Sequence, residues 1–332
     1  MHKVVTFGEI MMRLTPPGFA KIAQTETLEL TFGGGEGNVA ISLAYFGLKA
    51  FHVTQFPDNA IGRAATQFLR KHWVSTPYVN YGPSEIGIYF HERGAVHRSS
   101  TVIYDRANSA FAKLDPSGFD WDRILRNADW FHWTGITPAI SSNVAHALKD
   151  ALVAAKKYGV KVSCDMTYRD SLWNYGKTPL EVLPEMIEMT HVMMTGKREM
   201  VLFSDGDENM EHFDLVRKFH EKYPNLEIIA DKTRNSVNAS LHVLSGLLWD
   251  GKNELSTEEL SVTHIVDRVG TGDAFAAGLI HGLLTKDTKQ DALEFAIAAC
   301  ALKHTIEGDA NMVSVEDVDK LASGDGSGRI IR

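Results

Sequence analysis

From about residue 128 onward, short apolar runs of strand length alternate with stretches of helical period, and this alternation constrains the fold more than any other feature of the chain. The runs at 130–136, 160–166, 191–195 and 226–230 read as strands, and 143–158, 180–189 and 212–223 between them read as helices. Strands joined through helices are parallel and need cover on both faces, which predicts a doubly wound α/β sheet. With 332 residues, 44% of them hydrophobic, the chain has enough apolar material for one large domain over 1–332. The first hundred residues read differently. One strand (4–10) runs into a Pro- and Gly-containing segment, and two β-like runs, 86–90 and 99–104, flank the turn Arg93-Gly94-Ala95 as in a hairpin. These excursions predict a small sheet, about 11–33 and 75–107, closing over a site as a lid, although two surface hairpins would give the same pattern.

Charge and cysteine usage exclude several classes. A formal net charge of −8 opposes general attraction to nucleic acid or anionic lipid. Cys164 and Cys300 are the only cysteines, too few for a disulfide framework or a multi-cysteine zinc site. The start of the chain lacks the pattern of a signal peptide, and the apolar stretch 274–284 is interrupted by Gly278, His281 and Gly282, so a cytoplasmic protein without membrane contact is expected. The run 323–328 has the composition of a flexible tail.

The segment richest in chemistry is Asp267-Arg268-Val269-Gly270-Thr271-Gly272-Asp273, followed at once by an apolar helical pattern. A glycine-flanked turn at a helix N-terminus presents free amides and the positive end of the helix dipole to an anion. Asp273 in the first turn would lie where a carboxylate can take a proton from an attacking hydroxyl. An ordinary acidic first turn fits the same residues, and both readings stay open at this level. Neither a dinucleotide fingerprint nor a P-loop is present, since no Gly-x-Gly-x-x-Gly follows the first strand and no Gly-Lys-Ser/Thr follows these glycines. A second cluster, Gly33-Gly34-Gly35-Glu36-Gly37-Asn38, precedes the helical pattern 39–46 and lets a ligand approach backbone directly, with Asn38 able to donate and accept.

As a pair, the two clusters resemble the N- and C-terminal signatures of the ribokinase (PfkB) carbohydrate kinase family. The resemblance covers essentially the whole chain. It implies an α/β/α sandwich with a mostly parallel sheet, a β-sheet lid that often forms a dimer, and ATP with Mg²⁺ as phosphoryl donor. It also implies an anion hole from the amides of Gly270, Thr271, Gly272 and Asp273, with Asp273 as base and Asp267 in the phosphate or metal network.

Within the family the chain is most similar to kinases of the sugar acid 2-keto-3-deoxygluconate, which form a 6-phosphate. The stretches carrying this are Tyr104-Asp105-Arg106-Ala107-Asn108-Ser109-Ala110 and Asp165-Met166-Thr167-Tyr168-Arg169, where Thr167 stands in place of the usual Asn. Arg106 and Arg169 are then expected to clamp the carboxylate, Tyr89 and Tyr104 to close over the sugar, and Gly34, Asn38 and Asp309 to meet its hydroxyls. On the nucleotide side the chain departs from the family. Gly196-Lys197-Arg198-Glu199 retains the glutamate of an Asn-x-x-Glu motif without its asparagine, leaving Glu199 as an indirect metal contact, and Asp231-Lys232-Thr233-Arg234-Asn235 replaces the usual Thr-x-Gly-x-x-Gly. Lys232 and Arg234 are phosphate contacts or part of a solvated basic turn. A kinase for a neutral sugar such as fructose or ribose, and a sensor of sugar acid or nucleotide without catalysis, are the alternative readings, with a Rossmann dehydrogenase behind both.

Overall fold

The computed structural model describes residues 2–324, so most of the expected flexible tail lies outside the described residues. Its strands are β1 (Lys3–Phe7), β2 (Met11–Thr15), β3 (Glu29–Gly33), β4 (Lys49–Pro57), β5 (Val79–Gly82), β6 (Ile88–Glu92), β7 (Thr101–Asp105), β8 (Trp130–Thr134), β9 (Lys161–Asp165), β10 (Val192–Met194), β11 (Ile228–Asn238), β12 (Leu241–Trp249), β13 (Glu254–Ser256) and β14 (Leu260–Thr263). The principal helices are α1 (Gly35–Tyr45), α2 (Ala60–Lys71), α3 (Trp121–Leu125), α4 (Ser142–Tyr158), α5 (Pro179–Ile187), α6 (Lys197–Phe203), α7 (His212–Lys222), α8 (Thr271–Thr285), α9 (Lys289–Lys303) and α10 (Val315–Ala322).

Ten strands form the main sheet in the order β13-β12-β11-β10-β9-β8-β1-β4-β5, with β14 also paired to β12. The run from β11 to β5 is parallel, and β12, β13 and β14 close one edge antiparallel. Two apolar cores flank it. Residues of α1, α2, α8, α9 and α10 build one, and residues of α3 to α7 build the other, which makes the α/β/α sandwich expected of this pattern. α8 and α9 are buried on nearly every side, so their sequences are apolar all round. Local signals set the helix ends: the Ser141 hydroxyl accepts from the Val144 amide at the start of α4, and Gly159 at φ 65° ends it. Among the described residues, no helix is long and apolar enough to cross a membrane.

Strands β3-β2-β6-β7 form a separate sheet, the lid. Its boundaries fall close to the expected ones except in the block from 75, where β5 pairs parallel with β4 and belongs to the main sheet. The expected strand at 226–230 is also longer than the sequence suggested. β11 continues through the anticipated basic turn at 231–235 and forms a long hairpin with β12, because Lys232 and Arg234 sit in a regular antiparallel ladder opposite Gly246 and Leu244. At the hairpin tip, the Ala239 amide donates to the Val96 carbonyl of the lid.

The lid has two chemically distinct faces, as the twofold alternation of a strand requires. Tyr89, His91, Val102 and Tyr104 point at the large sheet. Leu30, Leu14, Phe90 and Ile103 lie in register across all four strands, with Leu30 57% and Ile103 52% exposed.

Candidate active site

β1 pairs with β4 on one side and β8 on the other, so the chain order reverses there and the loops leaving β1 and β8 diverge. Ligands of open α/β sheets bind in such a crevice at the carboxyl ends of the strands. Here it is a cavity of about 830 Å³ beneath the lid.

The floor is the N-terminus of α8. Gly270 precedes it at φ 81°, a conformation glycine adopts without strain, and a side chain there would collide with the Asp309 carbonyl, 1.9 Å from where a Cβ would sit. Asp273, half-buried in the first turn, accepts a 2.7 Å hydrogen bond at Oδ2 from the Asn38 amide of α1. Burial drives its pKa up to about 7; Asn38 opposes that shift, and the charges of Asp165, Asp309 and Glu36 reinforce it. A carboxylate poised in this range is matched to proton transfer near neutrality. Thr271 and Gly272 line the cavity beside it, and Lys232 Nζ and Asp165 Oδ2 lie 3.6 and 3.7 Å from the position a Gly272 Cβ would take.

The wall opposite is the second glycine cluster. β3 ends at Gly33, Gly34 caps α1, and α1 starts at Gly35, earlier than the expected 39, so Gly35 and Gly37 lie in its first turn. A Cβ on Gly34 would lie 1.9 Å from the Glu9 carbonyl, which explains the need for glycine there. Glu36 is buried, accepting from the Thr134 amide and the Thr134 and Thr137 hydroxyls, and so ties α1 to the end of β8.

The expected arginine pair divides. Both line the cavity, but Arg106 Nε donates to Glu9 Oε2 at 2.7 Å and its guanidinium stacks 5.9 Å from the Tyr104 ring. Its charge is therefore largely neutralised by a buried glutamate, so the two arginines expected to clamp a carboxylate are not equivalent. Arg169 is exposed, and no ion pair engages it among the described residues. Tyr89 is buried with its hydroxyl donating to Asp309 Oδ2, whereas Tyr104 is half exposed and open to the cavity.

Asp267 departs from its expected place in a phosphate or metal network. It is not among the cavity-lining residues; Oδ2 takes Arg13 Nη2 at 2.6 Å and the Gly308 amide, and Oδ1 takes the Val269 amide. Burial favours its neutral form, but Arg13, Lys303 and the Val269 amide outweigh that and hold its pKa below the ordinary carboxylate value. Asp309 lines the cavity while giving Oδ1 to Arg13. Lys232 and Arg234 line it too, from β11, whereas Glu199 lies outside it on α6. Burial raises the pKa of Glu199, with Asp165 adding to the rise, and Asp231 nearby is pushed up to about 6. No group of three acidic, His or Cys side chains among the described residues is arranged to hold a metal alone.

Sequence reasoning missed Glu9, Arg13, Glu36 and Asp165. Glu36 and Asp165 stood inside motifs already singled out; Glu9 and Arg13 follow β1 with no local pattern to mark them.

Comparison with known proteins agrees with this geometry. Residues 1–315 match the pfkB family carbohydrate kinase profile. A crystal structure of a 2-dehydro-3-deoxygluconokinase from Thermotoga maritima superposes with a TM-score of 0.92 at 41% identity, covering 98% of this chain and 100% of that one. A PfkB family carbohydrate kinase from Listeria grayi gives 0.93 at 33% identity, covering 97% and 99%. The 2-dehydro-3-deoxygalactonokinase of Haloferax volcanii is 30% identical over 329 residues, 98% of each chain. With its amide turn, acidic first helical turn and β lid arranged as described, this chain belongs to the pfkB family of carbohydrate kinases.

Proposed function

We propose that this sugar kinase transfers the γ-phosphoryl group of ATP to a hydroxyl of a 2-keto-3-deoxy sugar acid, giving its 6-phosphate. The observation that carries the reading is a half-buried carboxylate, Asp273, with a pKa of about 7, in one cavity with an unpaired guanidinium, Arg169. Relatives named for the gluconate- and galactonate-derived acids support the substrate class.

In this reading the acid's carboxylate meets Arg169, with Arg106 offering whatever N–H remains free of Glu9. Tyr104 covers the sugar, and Asn38 and the Gly34 backbone meet its hydroxyls. Asp273 accepts the proton as the hydroxyl oxygen attacks the γ-phosphorus and the bond to the β-phosphate breaks, releasing ADP. The Gly270, Thr271, Gly272 and Asp273 amides hold the equatorial oxygens, and Lys232 and Arg234 approach from β11. Mg²⁺, when bound, neutralises charge on the transferring phosphates. Asp165, with Glu199 and Asp231 behind it, fits a site completed by phosphate and water rather than an all-protein cage. The apolar row Leu30, Leu14, Phe90 and Ile103, exposed at its ends Leu30 and Ile103, supports pairing of two lids in a homodimer.

The test is ADP release over a panel of sugar acids and matched neutral sugars. Turnover confined to fructose or ribose would remove the acid assignment, and no turnover with any acceptor would favour the sensor.

A further inference from the structure

Beneath the amide turn lies a cluster built around Arg13, a residue to which no step above gives a role. Arg13, on β2, is 1% exposed, and its guanidinium reaches three segments. Nη1 donates to Asp309 Oδ1 at 2.5 Å, Nη2 reaches Asp267 Oδ2 at 2.6 Å and His91 Nδ1 at 2.7 Å, and Nε donates to Thr15 Oγ1 at 2.9 Å. Lys303, fully buried, adds a second cation and donates to the Ile306 carbonyl at 2.9 Å. Two cations therefore face two carboxylates.

The two carboxylates belong to the two loops that shape the floor of the site. Asp267 Oδ1 takes the Val269 amide at 3.1 Å, fixing the residue before Gly270. The Asp309 carbonyl is the group against which Gly270 packs without room for a side chain. The other Asp309 oxygen takes the Tyr89 hydroxyl of the lid. A single guanidinium thus sets the spacing of the loop before α8, the loop after α9 and the root of the lid. A buried ion pair adds little net stability compared with apolar packing of the same volume, so such a cluster calls for a reason other than stability.

We infer that Arg13 is a positioning residue for phosphoryl transfer, clamping Asp267 and Asp309 so that the Gly270–Asp273 amides and the Asp273 carboxylate stay in register. The inference rests on the phosphotransfer reading above but not on the identity of the acceptor. A displaced turn harms the transition state more than ground-state binding, since misplacement of about 1 Å costs up to roughly 100-fold in rate.

The test uses Arg13→Lys, which keeps a charge but cannot bridge two carboxylates, and Asp267→Asn, which loosens the clamp from the other side. Both are assayed with the acceptor that the wild type turns over, alongside thermal unfolding. Expected for each folded variant is a fall in kcat of roughly 10- to 100-fold, with KM for ATP and acceptor within about threefold. Because the residues act as a unit, the double variant should lose no more than about threefold beyond the worse single one. Unchanged kcat in either folded variant, a loss confined to KM, or single losses that multiply in the double variant would overturn the inference. Failure of both variants to fold would overturn it as well, by making the cluster a stability element. A wild type active only on a neutral sugar sinks the acid assignment and leaves this comparison in force.

Discussion

Replacing Asn38 by Leu, branched alike at Cγ but without an amide, should move the acid limb of the pH–rate profile rather than abolish activity. The Asn38 amide is the group opposing the upward pKa shift of Asp273, through a 2.7 Å hydrogen bond to Oδ2. A hydrogen bond to a charged group contributes about 1.5–3 kcal/mol, and at 1.36 kcal/mol per pKa unit its loss raises the carboxylate by about 1–2 units. From about 7, the limb then moves to about 8–9. At pH 7 the wild type is about half ionised and the variant about 1–10%, so kcat/KM falls roughly 5- to 50-fold from ionisation alone and rises again toward about pH 9.5, to a plateau set below the wild type's by the lost Asn38 contact to the sugar. The assay is kcat/KM for ADP release from about pH 5.5 to 9.5, which reports the free enzyme. A uniform loss at every pH, with the limb where it was, would refute the assignment of Asp273 as the titrating base.

Asp273→Asn is expected to lower kcat by about 10²- to 10⁴-fold with little change in acceptor KM. The same substitution should raise Tm at pH 8. The folded pKa of about 7 lies above the ordinary 3.8, so the ionised carboxylate destabilises the fold fully above pH 7, and the difference from the variant closes as pH falls toward 4. Arg169→Ala should raise KM for a sugar acid by roughly 10- to 100-fold, measured beside a neutral ketose whose KM changes little; equal weakening of both removes the carboxylate contact. With two lids paired as proposed, the wild type should give a dimer mass in light scattering and Ile103→Asp a monomer mass with Tm changed by no more than a few degrees; a monomeric wild type or an unaltered dimer mass would remove the lid interface.

Periodicity and glycine chemistry are local properties, and the chain displays them openly. The alternation after residue 128 pointed to the sandwich, and Gly270-Thr271-Gly272-Asp273 marked a candidate amide turn, because a glycine-flanked helix N-terminus presents free amides to an anion. The glycine signature also located the wall of the cavity, although α1 starts at Gly35 rather than at 39. What only tertiary structure decided is which charges meet. Arg106 and Arg169 look alike in sequence, yet Glu9, 97 positions away, neutralises one and leaves the other open. Asp267 and Asp309 are both acids near the Gly270–Asp273 turn, but Arg13, more than 250 residues upstream, binds one of them out of sight and holds the other at the cavity edge. The pKa of Asp273 likewise comes from burial and from Asn38, 235 positions distant. Coulomb and desolvation energies depend on separation in space, and a linear chain encodes that separation only through its completed fold.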